Sequence, residues 1–402
     1  MQHAEQVRIV KELLARLDTG TNVDAGGFRR NPTSVYVDPE LAAREWDEFF
    51  RGHPQMIGLS GDLPEPGSFL RVDDLGVPIL ASRDADGTLR AMINSCRHRG
   101  AIVQTERRGT ALRHTCSFHR WSYDTSGGLA GVPKPDHFGE IDTSCLGLTP
   151  LPAVEHNGLL WVHPDPDGSI DVEGLLGPEL DAELAGFGFG DMDYFHSDDY
   201  DVACNWKLAM DTFGETYHFS ALHSGTINLF MHGNVQCYDT FGRNHRMILC
   251  RREIDDMRNR DEEEWDIRTA SLPVYWLFPN VQLMPSQEGA YLVRAYPIPG
   301  EPGRHVSRIT FYLRADATIR GDMATRQIQL DMAQGFADII RDEDYVMSAS
   351  QQVSAETGGL IHTVFGRNEP ALHHYHNTYR VALGIDPLPL LDESDLAAEL
   401  RA

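Results

Sequence analysis

The sequence predicts an α+β protein built from two parts of different texture. Between residues 66 and 163, short apolar runs alternate with turn residues, a pattern typical of an all-β module. Beyond a Pro-, Gly- and Asp-rich stretch at 163–179, a helical segment, several strands and a long helix at about 321–352 follow. Strands accompanied by a long late helix indicate an antiparallel sheet. We therefore expect three regions: an N-terminal helical segment that packs on the second domain (1–50), an all-β domain (51–165) and the α+β domain (166–402).

The N-terminal region contains two helical patterns. A second helix is expected at 37–52, with Asp38 as its N-cap before Pro39. No basic stretch followed by a continuous apolar block opens the chain, so we expect no secretory signal and a cytoplasmic protein. In the first eighteen positions apolar residues recur at helical spacing, which predicts an amphipathic helix formed around Val7, Ile9, Val10, Leu13, Leu14 and Leu17.

The later elements follow from apolar runs and turn residues. The stretch from Phe69 to Cys96 reads strand, turn, strand, with DADG at 84–87 as the hairpin turn. A strand at 158–165 closes the all-β region. In the second domain we expect a helix over 205–222, a final helix that begins at Pro370, and strands at 274–284, 290–298 and 306–316.

Composition and charge exclude several classes of protein. The chain is 41% hydrophobic and 24% charged, and it lacks an apolar run of about 18 residues, so a membrane span is not expected. A net charge of −25 argues against sequence-independent binding to nucleic acid, which needs basic surface. Six scattered cysteines do not form a disulfide framework. These features are typical of a soluble enzyme.

Two short segments each place one cysteine beside one histidine. Cys96 and His98 lie in CRHRG, and Cys116 and His119 lie in CSFH, which gives the pattern C-x-H-x17-C-x-x-H. Structural zinc is one candidate, because two cysteines and two histidines suit a tetrahedral site, although zinc fingers keep like ligands together. One thiolate and one imidazole from each loop fit a two-iron cluster, with both cysteines on one iron and both histidines on the other.

The stretches CRHRGA (96–101) and CSFHRWSYDTSGGL (116–129) resemble the Rieske [2Fe–2S] family. The resemblance implies that the two cysteines and two histidines bind such a cluster. Arg120 stands where the family usually has glycine, and there it would either restrict the loop or form part of a partner-docking face. Neither loop has the extra cysteine of respiratory Rieske proteins, so we expect the low-potential type that serves oxygenases. The remaining cysteines are expected in the core: Cys145, Cys204, Cys237 and Cys250.

The segment NWKLAMDTFGETYHFSALH, residues 205–223, combines acids and histidines with many apolar residues. On a helix, Asp211, Glu215 and His218 would fall at i, i+4 and i+7 and share one face. His223 would lie about 140° away, so the helix must end or bulge near 219–222 for this side chain to reach the same metal, and a π-type turn is one route. Two histidines and one carboxylate on a ferrous ion leave positions open for dioxygen and substrate.

The same segment resembles the catalytic motif of Rieske non-haem iron oxygenases: N-W-K, then an acid, then Y-H-x4-H. The resemblance implies that His218 and His223 bind a mononuclear Fe(II). It also implies that Glu215 links a Rieske histidine of a neighbouring subunit to an iron-ligand histidine. With glutamate at this position, the chain resembles the branch of the family that includes oxygenases of quaternary amines. Asp211 stands where the family also has asparagine, and we expect Glu215 and Asp211 to serve catalysis.

The resemblance places a third iron ligand, a carboxylate, on a late helix in an acid-rich run that precedes a glutamine. The matching run is IIRDEDYVMSASQQ, residues 339–352. Three neighbouring acids are candidates: Asp342, Glu343 and Asp344. The family's E-D step, with Gln352 eight residues further on, favours Asp344.

The resemblance covers nearly the whole chain and implies the terminal oxygenase (α) component, a Rieske domain followed by a helix-grip (START-like) catalytic domain. Such an enzyme uses dioxygen and NAD(P)H-derived electrons, delivered by a separate reductase with or without a ferredoxin. We expect it to hydroxylate or dihydroxylate a small apolar, aromatic substrate, as in the breakdown of aromatic hydrocarbons. N- or O-demethylation or quaternary-amine oxidation is one alternative, and a non-catalytic electron carrier is another. The resemblance also implies a homotrimer, with or without small β subunits.

Other features have weaker assignments. The histidines of LHHYH (372–376) are expected to be structural, and GRHVSR (303–308) is expected in a surface turn. An inward-facing Arg294 would indicate a carboxylate substrate, and an aromatic cage with an acid would indicate a quaternary ammonium group. The substrate cavity should lie between the 205–223 helix and the sheet, lined by candidates from Phe213, Phe219, Leu222, Phe230, Trp276, Phe278 and Tyr291.

Overall fold

The computed structural model describes residues 1–140, 142–314 and 323–399. The chain forms two compact units. The larger unit comprises Met1–Glu45, Glu173–Phe187 and Phe195–Ala402, and the smaller unit comprises Trp46–Val172 and Gly188–Tyr194. The chain crosses between the two units more than once: it returns to the larger unit at Glu173, to the smaller at Gly188 and to the larger again at Phe195. The expected boundaries at residues 50 and 165 stay a prediction.

The α-helices, in chain order, are α1 His3–Thr19, α2 Pro39–Glu45, α3 Val172–Leu176, α4 Pro178–Ala185, α5 Trp206–Asp211, α6 Ile267–Ala270, α7 Met323–Ile339, α8 Tyr345–Glu356, α9 Pro370–Ala382 and α10 Glu393–Glu399. Within residues 1–140, 142–314 and 323–399, no helix has both the length and the apolar character that crossing a bilayer requires.

The strands, in chain order, are β1 Arg29–Pro32, β2 Gln55–Leu59, β3 Ser68–Val72, β4 Ile79–Arg83, β5 Leu89–Ile93, β6 Arg108–Thr110, β7 His114–Thr115, β8 Ser122–Tyr123, β9 Leu129–Gly131, β10 Pro150–Leu151, β11 Ala153–His156, β12 Leu159–Val162, β13 Met192–Val202, β14 Met231–Phe241, β15 Asn244–Arg251, β16 Ser271–Leu277, β17 Val281–Pro285, β18 Gly289–Ile298, β19 Glu301–Arg314 and β20 His362–Phe365.

The smaller unit is all-β apart from short turns, as the sequence predicts. Its described sheets have the orders β10-β5-β4-β3-β6, β11-β12-β2 and β7-β8-β9. The predicted hairpin at 84–87 is confirmed, because β4 pairs with β5 and Asp84 Oδ1 accepts the N–H groups of Asp86 and Thr88. One expected metal-binding loop follows β5, and the other is the tip of the β7–β8 hairpin.

The larger unit is built on an antiparallel sheet whose described strands have the order β13-β19-β18-β17-β16-β15-β14. Helix α1 packs on this sheet as predicted, with Ile9, Val10, Leu13 and Leu14 buried against a cluster that includes Ile248. Each fully buried aliphatic side chain contributes about 1.5–3 kcal/mol. Helix α2 begins after Asp38, whose Oδ1 accepts the N–H groups of the first turn, so the predicted N-cap is confirmed.

The strand register assigns helices α8 and α9 to one face of the sheet. Trp276, Gln282, Val293 and Ile309 are successive cross-strand partners and therefore share a face. Tyr375 of α9 accepts a hydrogen bond from Gln282 on that face. Two residues along β19 from Ile309, and therefore on the same face, Ser307 is bonded to Tyr345 of α8 with 2.6 Å between the hydroxyl oxygens. Late helices held against one face of an antiparallel sheet match the predicted helix-grip arrangement.

Two strand predictions are wrong in detail. The expected strand at 274–284 is a hairpin, β16 and β17, because the chain reverses direction at Phe278–Asn280. The expected surface turn at 303–308 lies inside β19, where His305 is fully buried and its Nδ1 lies 2.8 Å from the carbonyl oxygen of Cys204. The last two residues of the expected strand at 306–316 lie outside the described residues.

The expected helix over 205–222 is also wrong, because α5 ends at Asp211. Gly214 follows, and a Cβ at this position would lie 2.6 Å from Leu372 and 2.8 Å from Tyr375, both in α9. The chain resumes as a short 3₁₀ turn at Tyr217–Ser220. The local pattern of residues 205–222 favours a helix, but the helix breaks where Gly214 lies against α9.

The late helix contains a π turn, whereas the sequence favours a π-type turn near 219–222 only, as one route for His223. Helices α7 and α8 are joined without a break by a π-helical segment, Ile340–Asp344, which we call the π segment. It carries all three acids that compete for the third ligand position. The two residues expected to begin this helix, 321 and 322, lie outside the described residues.

Candidate metal centres

The two cluster loops of the smaller unit share one hydrogen-bonding pattern. Cys96 N donates to the carbonyl of Ala101, five residues on, and Cys116 N donates to the carbonyl of Trp121, also five residues on. In return, the N–H of Gly100 and that of Arg120 each bond to the carbonyl of the cysteine four residues before. Each loop thus presents its cysteine and histidine from equivalent turns.

The donor atoms fit a two-iron cluster. Cys96 and Cys116 are 4% and 1% exposed, whereas His119 lies at the surface. The Nδ1 atoms of His98 and His119 are 3.1 Å apart, close to the roughly 3.4 Å between two nitrogens on one tetrahedral metal. Among the described residues, these four side chains do not form a group of donors within 4.8 Å, as ligands of a single zinc ion would. The arrangement therefore favours two irons over one zinc.

Arg120 occupies a backbone conformation that explains why glycine is usual at this position. Its φ is +65°, in the left-handed region, and Gly100 has φ +77° at the equivalent place in the other loop. A side chain in this region costs about 1–2 kcal/mol. The Arg120 side chain is exposed and adds positive charge beside His119.

Aromatic side chains surround the cluster loops. The Tyr123 hydroxyl lies 3.3 Å from Cys96 Sγ and accepts the N–H of Arg97. Trp121 stacks on His98 with ring centroids 5.1 Å apart. A hydroxyl hydrogen-bonded to a cluster sulfur raises the reduction potential of iron–sulfur sites, and the Tyr123 hydroxyl is placed to have this effect. Tyr123 lies in the stretch CSFHRWSYDTSGGL but was not among the expected site residues.

In the larger unit the structure brings His218, His223 and Asp344 together. Their donor atoms all lie within 4.8 Å of one another. Asp344 Oδ1 is 3.5 Å from Nε2 of His218 and 3.3 Å from Nε2 of His223. His223 Nε2 is buried and forms no hydrogen bond with a described residue. A buried nitrogen without a partner, beside a carboxylate and a second imidazole, fits a divalent metal.

The electrostatics of this triad favour a cation at its centre. Asp344 is 5% exposed, and although burial opposes its ionisation, the two histidines lower its pKa. Burial likewise disfavours charge on His218, yet the carboxylates of Asp344 and Glu215 raise its pKa to about 9. The carboxylates of the site therefore favour positive charge between the histidines. A metal ion can supply that charge in place of the protons on the imidazoles.

The other acids of the two motifs surround the triad rather than enter it. Glu215 bonds to Nδ1 of His218 and accepts the backbone N–H of that residue. Glu343 bonds to Nδ1 of His223 at 2.6 Å. Asp342 is exposed and pairs with Arg341. Of the three acids on the π segment, Asp344 is thus the one that faces the Nε2 atoms.

Asp211 does not share a helical face with Glu215 and His218, because α5 has ended before those residues. Its carboxylate accepts a hydrogen bond from the Tyr36 hydroxyl at 2.8 Å and lies 2.9 Å from Nε2 of His376. One histidine of the 372–376 cluster thus has an acidic partner that the sequence did not reveal. A catalytic role for Asp211 stays a proposal.

The N-W-K motif and Gln352 build the frame that holds the site. Asn205 caps α5 by accepting the N–H of Lys207. The Lys207 ammonium lies 2.6 Å from both carboxylate oxygens of Glu45. Gln352 Oε1 accepts the N–H of Asn205 at 3.0 Å, which ties α8 to the start of α5. Glu45 lies far away in the sequence, and no local pattern identified it.

The candidate cavity residues divide among several environments. The Phe219 ring contacts both triad histidines, at 5.1 and 5.6 Å between centroids. Trp276 packs in an aromatic core with Tyr375, and Phe230 is 59% exposed. Arg294 pairs across the strands with Arg308 and lies on the sheet face opposite Ser307 and α8. It is therefore not placed to meet a substrate beside the triad. Cys145, expected in the core, is exposed.

Comparison with known proteins gives two family matches, one over each candidate site. The family model described as "Rieske [2Fe-2S] domain" matches residues 53–150. The model described as "Ring hydroxylating alpha subunit (catalytic domain)" matches residues 189–384. The chain belongs to the Rieske non-haem iron oxygenases. In this Rieske oxygenase, the first match contains the two cluster loops, and the second contains the triad.

Individual relatives cover part of the chain. The Rieske oxygenase is 31% identical over 220 residues to the anthranilate 1,2-dioxygenase large subunit of Burkholderia cepacia, a match that spans 51% of this chain and 50% of that protein. It is 30% identical over 198 residues to the glycine betaine monooxygenase oxygenase subunit of Chromohalobacter salexigens, spanning 49% of this chain and 44% of that protein. The chain thus spans about half the length of these curated relatives.

A solved structure extends the likeness in fold over more of the chain. The crystal structure of a quaternary ammonium Rieske monooxygenase in complex with an inhibitor aligns with a TM-score of 0.74 and 19% identity. The alignment covers 88% of this chain and 94% of that one. The fold of this Rieske oxygenase, an all-β domain with a mixed antiparallel domain, is therefore that of the family.

Proposed function

We propose that the chain is the terminal oxygenase component of a multicomponent Rieske oxygenase. One observation carries this proposal: three donor atoms of His218, His223 and Asp344 converge in the same chain that carries a Rieske domain. The substrate class proposed is a small apolar, aromatic molecule. The match to the anthranilate 1,2-dioxygenase large subunit supports the aromatic part of this proposal.

The residues of the triad would hold ferrous iron through two imidazoles and one carboxylate, which leaves other positions of the metal open. Iron held in this way supplies activation of dioxygen, with electrons that arrive through the Rieske cluster. The chain's own residues do the positioning. Asp344 balances charge between the two histidines, Glu215 holds His218 through Nδ1, and Phe219 covers one side of both rings.

The first experiment is to measure iron and acid-labile sulfide in anaerobically purified protein. A ratio of about three irons to two sulfides per chain is expected from one cluster and one mononuclear iron. That result would justify a screen of aromatic substrates for coupled oxygen uptake. A ratio of about two to two that added ferrous ion cannot raise would instead favour the electron-carrier alternative.

Oxidative demethylation or oxidation of a quaternary amine is the second candidate function. The matched betaine monooxygenase subunit and the glutamate, rather than aspartate, at position 215 both favour it. The two functions give different products from the same coupled assay. An aromatic substrate would yield a hydroxylated or dihydrodiol product, whereas a methylated amine would release formaldehyde in proportion to oxygen consumed.

We also propose that the working enzyme is a cytoplasmic homotrimer, with or without small β subunits. In such a ring, Glu215 would connect the cluster of one subunit to His218 of the next. Glu215→Gln is then expected to keep both metals but lose turnover. Loss of iron from this variant would mean that Glu215 holds the metal rather than connects two sites. Sedimentation velocity of the purified protein tests the trimer directly.

The electron donor is proposed to be an acidic reductase or ferredoxin. Arg97, Arg99 and Arg120 are exposed next to the cluster histidines, although the chain as a whole carries a net charge of −25. Arg99 also lies over the ring of Phe118, which is 55% exposed. A basic and apolar patch on an acidic protein favours a negatively charged partner. The rate of cluster reduction by such a donor should fall as ionic strength rises.

A further inference from the structure

His223 is held at both of its ring nitrogens by neighbouring residues of the π segment. Asp344 Oδ1 lies 3.3 Å from Nε2, on the triad side. Glu343 Oε2 lies 2.6 Å from Nδ1, on the opposite edge of the ring. The His223 side chain is 1% exposed and that of Glu343 is 24% exposed, so this second contact is largely shielded from water.

The two acids that contact His223 are consecutive residues of the π segment. In a regular α-helix, neighbouring side chains diverge by about 100° around the helix axis. A π turn widens the helix locally and changes that angle, and such turns are frequent at functional sites. The turn spans Ile340–Asp344 and ends at the triad carboxylate itself.

Glu343 is itself held in place. Its Oε2 accepts a second hydrogen bond from Oγ1 of Thr226 at 2.9 Å. Thr226 in turn donates its backbone N–H to the carbonyl of His223 at 3.0 Å. The carboxylate, the threonine and the histidine thus form a closed hydrogen-bonded group on the side of the ring away from the triad.

We propose that Glu343 is a positioning residue for His223, which fixes the ring so that Nε2 presents its lone pair to the metal. A carboxylate that accepts a hydrogen bond from Nδ1 selects the tautomer with the proton on that atom. It also orients the ring and increases the basicity of the metal-binding nitrogen. This inference rests on the proposed function, because it assigns Glu343 a role toward the iron of that site.

The two histidines then have matching supports from different parts of the chain. Glu215 holds Nδ1 of His218 from within the same loop, whereas Glu343 holds Nδ1 of His223 from the late helix. Glu343 was a candidate ligand at the level of sequence. Its carboxylate instead contacts the nitrogen of His223 that faces away from Asp344.

The test measures metal affinity in protein that keeps its cluster but whose mononuclear site has been emptied with a chelator. Co²⁺ is the probe, added anaerobically in competition with a coloured chelator, with the visible Co²⁺ bands as a second readout. Glu343→Ala should weaken Co²⁺ binding about 10–100-fold and shift the bands. Glu343→Gln should lose less, because its amide oxygen can still accept from Nδ1. Thr226→Val should give a smaller loss in the same direction.

Asp342→Asn is the matched control, since it removes a neighbouring charge that is exposed and paired with Arg341. It should bind Co²⁺ like the unmodified protein. The cluster absorption and the thermal midpoint of each variant show whether it has folded. Thr226→Val and Glu343→Gln keep the test decisive if Glu343→Ala does not fold.

Three outcomes would overturn the inference. Equal Co²⁺ affinity and identical bands in Glu343→Ala and unmodified protein would show that the contact does not position the ring. Complete loss of binding in Glu343→Ala, with binding retained in Asp344→Asn, would make Glu343 a ligand. Failure of the unmodified protein to bind one Co²⁺ per chain would overturn the proposed function of the site together with this inference.

Discussion

The buried ion pair between Lys207 and Glu45 gives the sharpest stability prediction. The two side chains are 1% and 3% exposed, and the ammonium lies 2.6 Å from both carboxylate oxygens. The pair joins α2 to the first turn of α5, which leads into the triad segment. Glu45 also accepts the indole N–H of Trp206 at 3.3 Å. Removal of its charge therefore leaves a buried cation without a counter-ion.

Glu45→Gln is expected to cost about 3–5 kcal/mol, the usual penalty for breaking a buried pair on one side. The glutamine oxygen can still accept the indole N–H of Trp206, so the loss of folding stability comes mainly from the unpaired ammonium of Lys207. In the double variant Glu45→Gln/Lys207→Met both charges are gone and an apolar chain of similar length fills the space. Most of the loss should therefore be recovered, to within about 1–2 kcal/mol of the unmodified protein.

Urea unfolding followed by tryptophan fluorescence measures these differences, while the visible absorption of the cluster monitors the smaller unit separately. With a slope of about 1–3 kcal/mol per molar urea, Glu45→Gln should lower the midpoint by roughly 1 M or more. The reasoning would be refuted by a loss below about 1 kcal/mol in Glu45→Gln, or by a double variant as unstable as the single one.

Three further predictions concern the metal site, the cluster loop and acid stability. Asp344→Ala should empty the mononuclear site but leave the Rieske absorption unchanged, and full iron retention in metal analysis would move the third ligand to another acid. Arg120→Gly should stabilise the smaller unit by about 0.5–1 kcal/mol, since relief of about 1–2 kcal/mol at φ +65° is partly offset by the greater freedom of glycine in the unfolded chain; a lower thermal midpoint of the cluster absorption would contradict this. Burial lowers the pKa of His305 from 6.5 to about 4. Between these values the unfolded chain binds a proton that the folded chain does not, so stability should fall by about 3 kcal/mol as pH drops from 6.5 to 4. His305→Gln should show a shallower decline in urea midpoint over that range, and an unchanged slope would count against the assignment.

Features that depend on residues close together in the sequence could be predicted. In each cluster loop the cysteine and the histidine are only two or three residues apart, so a single turn determines where both donor atoms lie. The choice of Asp344 over its neighbours rested on the resemblance, and the structure brings this side chain to both Nε2 atoms. Its role as an iron ligand stays a prediction that the metal analysis of Asp344→Ala tests.

Features set by distant contacts could not be predicted. The segment 205–222 has a helical pattern, but Gly214 lies against Leu372 and Tyr375, which belong to α9. Likewise His305 looked like a turn residue, yet β19 continues through it and buries it completely. In each case a long-range contact overrides what the local pattern favours.

The 205–222 helix was expected to end or bulge near 219–222, with a π-type turn as one route. The helix instead ends at Asp211, and a π turn occurs in the late helix, where none was expected. The break after Asp211 and the π segment at Ile340–Asp344 both lie in segments that carry triad residues.

The π segment also implies a trade-off between folding and chemistry. A π turn is what one extra residue leaves behind in an α-helix, so removal of Asp342 would let α7 and α8 merge into one regular helix. Such a shortened chain should gain helical stability, yet it would change how the late helix presents Glu343 and Asp344 to His223. The native late helix thus retains an irregularity that a design for stability alone would remove. Attempts to make this protein more robust should leave residues 340–344 untouched.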